Sequence, residues 1–153
     1  MTSTFSIKTD ELHKDDVQSL LDLHLKEAHA DACTAALGKE ALSSETITFF
    51  TARRQNGALA GFAALKIHDD NLGEIKSVRT HPDHLRQGVS SALMSHLTDF
   101  ARSQNLSRLS LETHPTEAYA AARKLYERLG YSYCGAFADY TDNEKSVFMT
   151  LTL

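Results

Sequence analysis

The sequence predicts an α/β fold built on a mixed sheet. Strand-like runs rich in β-branched and aromatic residues recur along the chain. Between them lie segments with apolar residues at i, i+3, i+4 and i+7, the spacing of a half-buried helix. One strand–helix–strand run, Glu74 to Thr113, is long enough for a parallel crossover, and the other strands can pair as antiparallel hairpins.

The elements follow in order. "FSIKT" (Phe5 to Thr9) reads as a short strand. Val17, Leu20, Leu21, His24 and Ala28 share one helix face behind Asp15 and Asp16, whose charges suit a helix start. A less regular helix is expected over Thr34 to Leu42. "TITFFTAR" (Thr46 to Arg53) is a strand; Asn56-Gly57 signals a hairpin turn, and "LAGFAALKI" returns. "DDNLG" (Asp69 to Gly73) is a turn before the alternating strand "EIKSVRT" (Glu74 to Thr80). Leu93, Met94, Leu97, Phe100 and Ala101 mark a helix reaching about Gln104, and "RLSLET" (Arg108 to Thr113) is a strand. Ala118, Ala121, Ala122, Leu125 and Leu129 mark a helix ended by Gly130, a residue suited to a left-handed cap. "YSYCGAF" and "SVFMTLTL" close the chain as strands. The expected order is β-α-α-β-β-β-α-β-α-β-β.

A length of 153 residues suits one domain, 1–153, with its own core. At 42% hydrophobic and 24% charged residues the composition is that of a soluble globular protein. No apolar run approaches the ~20 residues of a membrane span, so no membrane partner is expected. The polar start "MTSTFSIKTDELHKDD" lacks the pattern of a secretory signal, so the expected location is cytoplasmic. A net charge of −4 argues against a nucleic-acid partner. Cys33 and Cys134 form neither a CxxC nor a zinc spacing and read as reduced and structural. The eight histidines contain no HExxH, and no metal is expected.

One segment stands out. In "HPDHLRQGVSSALMSHL" (His81 to Leu97) a lone glycine and two serines sit where a helix should begin. A helix start exposes N–H groups without internal partners, and the helix dipole adds positive charge there, which suits a phosphate. Gly88 allows close approach; Lys76, Arg79, His81, His84 and Arg86 make the stretch basic within an acidic chain. Neither GxGxxG nor GxxxxGK[ST] is present, which excludes dinucleotide and P-loop readings. Helix capping with surface charges is the alternative.

"VRTHPDHLRQGVSSALM" (Val78 to Met94) resembles motif A of the GNAT superfamily of acetyl-CoA-dependent N-acetyltransferases, in which [Gln/Arg]-x-x-Gly-x-[Gly/Ala] opens a helix. Leu85 and Ser90 depart from that pattern, while Gly88 and the preceding proline keep it. "LYERLGY" (Leu125 to Tyr131) resembles the family's "LYxxxGF" signature, and the element order is similar along nearly the whole chain. The resemblance implies a mostly antiparallel sheet with a parallel, splayed central pair. It also implies acetyl-CoA as cosubstrate and direct acetyl transfer to a primary amine of a small molecule or peptide. An acyl-CoA-binding module with little or no catalysis is the alternative.

The resemblance also implies roles. Val78, Arg79 and Thr80 would run beside the pantetheine arm, with a backbone N–H near Val78 polarising the thioester carbonyl. The N–H groups of Arg86, Gln87, Gly88, Val89, Ser90 and Ser91 would hold the pyrophosphate. Glu112 matches the general-base position, with His114 as runner-up; either also reads as a surface or loop residue. Tyr126 matches the general acid, a phenol protonated at neutral pH. Tyr119 stands where many relatives carry an asparagine. Acceptor candidates are His24, Glu27, His29, Asp31, His114 and Tyr140. Neither cysteine lies at a matched catalytic position, so no acetyl-cysteine intermediate is expected. Dimerisation is common in the family and makes a homodimer a partner to test for.

Overall fold

A computed structural model describes residues 4–30 and 37–153. Its strands are β1 (Ser6–Thr9), β2 (Ile47–Arg53), β3 (Leu59–Ile67), β4 (Leu72–Thr80), β5 (Arg108–Thr113), β6 (Ser132–Cys134) and β7 (Val147–Thr152). Its helices are α1 (Asp15–Ala30), α2 (Lys39–Leu42), α3 (Val89–Ser103) and α4 (Ala120–Arg128), in the expected order. The seven strands form one sheet, β1-β2-β3-β4-β5-β7-β6, antiparallel except for β4 and β5.

Helices cover both faces, and the side-chain alternation of the strands decides which residues meet which helix. Leu93, Met94, Leu97 and Ala101 of α3 share a core with Leu65, Ile75, Leu109, Leu111 and Met149, and Tyr126 of α4 joins it. Val17, Leu20 and Leu21 of α1 form a second core with Leu42, Phe49, Phe62 and Ala64. Burying each such leucine contributes about 1.5–3 kcal/mol, so neither face can be left bare. A polar cluster ties the start of α1 to β2. Arg53 Nε lies 2.6 Å from Glu11 Oε1, and its two terminal nitrogens reach the Asp16 carboxylate at 2.6 and 3.0 Å.

Two irregularities shape the centre of the sheet. Parallel pairing of β4 with β5 runs from Leu72↔Arg108 to Ile75↔Leu111 and then stops, so the strands part beyond Ile75. On the other edge of β4, the register with β3 passes from Ala64↔Lys76 to Phe62↔Arg79. That places Ser77 and Val78 opposite Ala63 alone: a β-bulge, with Ser77 at φ 55°. Gly61 sits beside it because any Cβ there would lie 2.5 Å from the Arg79 carbonyl oxygen and 2.8 Å from Val89. The close approach of β3 to the end of β4 and the start of α3 thus requires glycine.

Some expectations are corrected. The second helix is only one turn, Lys39–Leu42; Gly38 has an extended backbone, and Thr34 to Ala36 lie outside the described residues. The turn before β4 is shorter, because Leu72 and Gly73 already pair with Arg108 and Leu109. A 3-10 turn, Glu117–Tyr119, precedes α4, which starts at Ala120 rather than Ala118. The strand expected over "YSYCGAF" pairs only through Ser132–Cys134. Cys134 is exposed rather than structural, since all three β6 residues face solvent. Cys33 lies outside the described residues.

Candidate active site

Where β4 and β5 part, a cleft of about 140 Å³ opens between the strands. β4 contributes Lys76, Ser77 and Val78 to its walls, and β5 contributes Glu112. His24 enters from α1, Tyr126 from α4 and Tyr140 from the β6–β7 connection. Of the candidates named from sequence, Val78, Glu112, His114, Tyr126, His24 and Tyr140 are therefore brought together. His29 is exposed at the end of α1 and does not line the cleft, and Asp31 lies outside the described residues.

Tyr126 is 7% exposed, and burial pushes its phenol up to about 12. Its hydroxyl has no hydrogen-bond partner among the described residues, and Tyr126 lines the cleft. Glu112 is half-buried and accepts a hydrogen bond from Ser146 Oγ at 2.8 Å. That bond occupies one carboxylate oxygen and leaves acceptor capacity on the other. His114 Nδ1 lies 2.7 Å from the Lys145 carbonyl oxygen, and its ring packs edge-on against Tyr119 at 4.7 Å. Since a carbonyl only accepts, Nδ1 carries the proton. His24 packs edge-on against Phe62 at 5.6 Å. Burial, reinforced by the positive charge of Arg79 and opposed by Glu27, pulls it down to about 4, so it is neutral at pH 7.

The turn after β4 ends at α3. His81 caps the 3-10 turn Pro82–His84, its Nδ1 accepting from the Asp83 N–H at 3.1 Å. Arg86 (φ 61°) and Gly88 (φ 81°) both take left-handed backbone, and nothing lies within 4 Å of where a Gly88 Cβ would stand. The first helical bond here is Ala92 N–H to the Gly88 carbonyl, at 3.0 Å. The N–H groups of Arg86, Gln87, Gly88, Val89, Ser90 and Ser91 have no acceptor among the described residues. Thr80 Oγ1 and Ser90 Oγ lie 2.8 Å apart and tie the strand end to the helix start. Arg79 turns its guanidinium away from this turn to pair with Glu27 of α1.

A strand that splays from its parallel neighbour and runs into an open helix start is the arrangement the sequence resemblance implies. The Acetyltransferase (GNAT) family matches residues 10–131. The chain belongs to the GNAT acetyltransferase family. It is 43% identical over 150 residues to an uncharacterized N-acetyltransferase of Bacillus subtilis, covering 96% of this chain and 99% of that one. A putative acyl-CoA N-acyltransferase from Klebsiella pneumoniae has the same fold, with a TM-score of 0.80 and 26% identity over 99% of both chains. A Bacillus subtilis acetyltransferase solved in complex with CoA shares the fold at a TM-score of 0.72 and 17% identity, over 97% of this chain and 99% of that one. Membership makes this chain an acyltransferase enzyme with an N-acetyltransferase fold.

Glu74 carries no motif that marks it as a site residue, and Lys76 stands out in the sequence only as local charge. Glu74 is 2% exposed, with Oε1 2.8 Å from His68 Nε2 and Oε2 3.2 Å from Lys76 Nζ. Tyr140 donates its hydroxyl proton to Glu74 Oε2 at 2.6 Å and accepts from Lys76 Nζ at 3.0 Å. The available signal was the strand alternation, which puts Glu74 and Lys76 on one face. Nothing local pointed to Tyr140 as their partner.

Proposed function

We propose that this enzyme transfers the acetyl group of acetyl-CoA directly to a primary amine, using the whole chain as one domain in the cytoplasm. The observation that carries the reading is the row of open N–H groups from Arg86 to Ser91, reached directly from the splayed end of β4. Six donors at a helix start are suited to a pyrophosphate, which would otherwise have to give up its water. Gly88 keeps that surface free of side chain. The parted strands then supply edge groups of Val78, Arg79 and Thr80 that can pair with an extended amide-bearing arm.

The chemistry divides between two residues in the cleft. The amine nitrogen attacks the thioester carbonyl carbon, and Glu112 takes the proton the nitrogen loses. The C–S bond breaks as the tetrahedral centre collapses, and Tyr126 donates its phenolic proton to the departing sulfur. Solvent exchange restores both groups. Holding amine and thioester in line within the cleft supplies much of the rate, and the proton transfers add about 10²–10⁴-fold.

Two measurements test the reading. Calorimetry with acetyl-CoA is expected to show binding; none at millimolar cosubstrate overturns it. Thiol release across a panel of primary amines is expected to rise above the amine-free rate for at least one. Binding without any turnover leaves an acyl-CoA-binding module instead.

A further inference from the structure

The cleft holds a cation that the acetyl-transfer chemistry does not use. Lys76 stands at the first position past the last β4–β5 pair. Its ammonium donates to the Tyr140 hydroxyl at 3.0 Å, pairs with Glu74 Oε2 at 3.2 Å and lies 5.6 Å from the centre of the Tyr140 ring. Glu74 has both oxygens engaged, so its role is to hold Lys76 and Tyr140 in place.

An ammonium carries three N–H donors. Tyr140 and Glu74 take two. The third has no acceptor among the described residues, and Lys76 is on the cleft wall. Glu112 lines the same cleft. A bare alkylammonium entering here meets attraction from Glu112 but leaves the remaining Lys76 donor unused, although Glu74 already balances the Lys76 charge. A molecule bearing both an amine and a carboxylate finds a partner for each. Charge-assisted hydrogen bonds of this kind are about twice as strong as neutral ones.

We propose that the acceptor is a small amine carrying its own carboxylate, in chemical class a free amino acid, with Lys76 Nζ binding the carboxylate. Glu74 and Tyr140 are positioning residues for Lys76. The proposal rests on the acetyl-transfer reading and names the acceptor class for the same site.

The test is thiol release by the full chain on matched sets: a free amino acid, its C-terminal amide, and a tripeptide beginning with the same residue. Alanine, serine, methionine, phenylalanine and lysine supply the sets. The free acid is expected to lead its amide by at least tenfold in kcat/KM for one or more sets. Lys76→Met is expected to bring that ratio near one by raising KM for the acid, and Lys76→Arg to restore part of it. Equal or better use of the amide or tripeptide by the unaltered enzyme overturns the proposal, whether or not any variant folds. So does a Lys76→Met enzyme that slows on all members alike, or a failure of every member while acetyl-CoA still binds by calorimetry. Failure to bind acetyl-CoA removes the acetyl-transfer reading first, so the two failures are distinguishable.

Discussion

Tyr126 and Glu112 line one cleft although they come from different layers, Tyr126 from α4 and Glu112 from β5. The parting of β4 and β5 opens the sheet between them. A phenol and a carboxylate thereby line the same small volume.

Tyr126→Phe is expected to lower kcat by about 10²-fold or more, the size of a lost general acid. Acetyl-CoA affinity and melting temperature should change little, since the hydroxyl has no bond among the described residues. With the phenol pushed up to about 12, it stays protonated across the working range. The kcat of the unaltered enzyme should then show no alkaline loss from this group below about pH 11. Steady-state rates against pH check both; full activity in the variant overturns the acid role.

Glu112→Gln keeps the shape of the side chain and an oxygen for Ser146, but cannot take a proton. A fall in kcat/KM of about 10²-fold is expected, with the Kd for acetyl-CoA unchanged. If the variant retains full activity, His114 becomes the base to test.

Gly88→Ala tests the helix start. Left-handed backbone costs a residue with a Cβ roughly 1–2 kcal/mol, so the melting temperature should fall by a few degrees. The Kd for acetyl-CoA, read by calorimetry, should rise by tenfold or more if this turn holds the pyrophosphate. A loss of stability with unchanged Kd would move the cradle elsewhere.

Arg53→Met should destabilise by up to about 3 kcal/mol, because the buried Glu11 carboxylate then keeps only the half-exposed Lys14 and the Thr51 hydroxyl as partners. Arg53 and Glu11 are 8% and 6% exposed. Burial alone would raise Glu11, but hydrogen bonds from Arg53, Thr51 and Lys14 outweigh it and hold the carboxyl below its usual range. The Arg53 hydrogen bonds do the same for Asp16. Carboxyls lowered in the fold add stability that is complete above their ordinary pKa of about 4 and disappears as pH falls through the lower native values. Thermal melts should therefore drop steeply below about pH 4 in the unaltered protein and less so in Arg53→Met.

The element order and the buried faces of the helices were legible in the sequence, because periodicity and turn chemistry act over a few residues. The spacing of Leu93, Met94 and Leu97 predicts the buried face of α3, and the 3.6-residue repeat leaves little choice. Gly88 and Tyr126 became candidates for a different reason: they lie inside short motifs that resemble those of the family. The short α2, the β-bulge at Ser77 and the place where β4 leaves β5 were not. They depend on registers between strands distant in sequence, which no local pattern encodes. The Lys76–Tyr140 bond spans 64 residues. Its two members carry no shared signal in the chain, so only the pairing of β7 with β5, which carries the β6–β7 connection to the cleft, places a phenol beside that lysine.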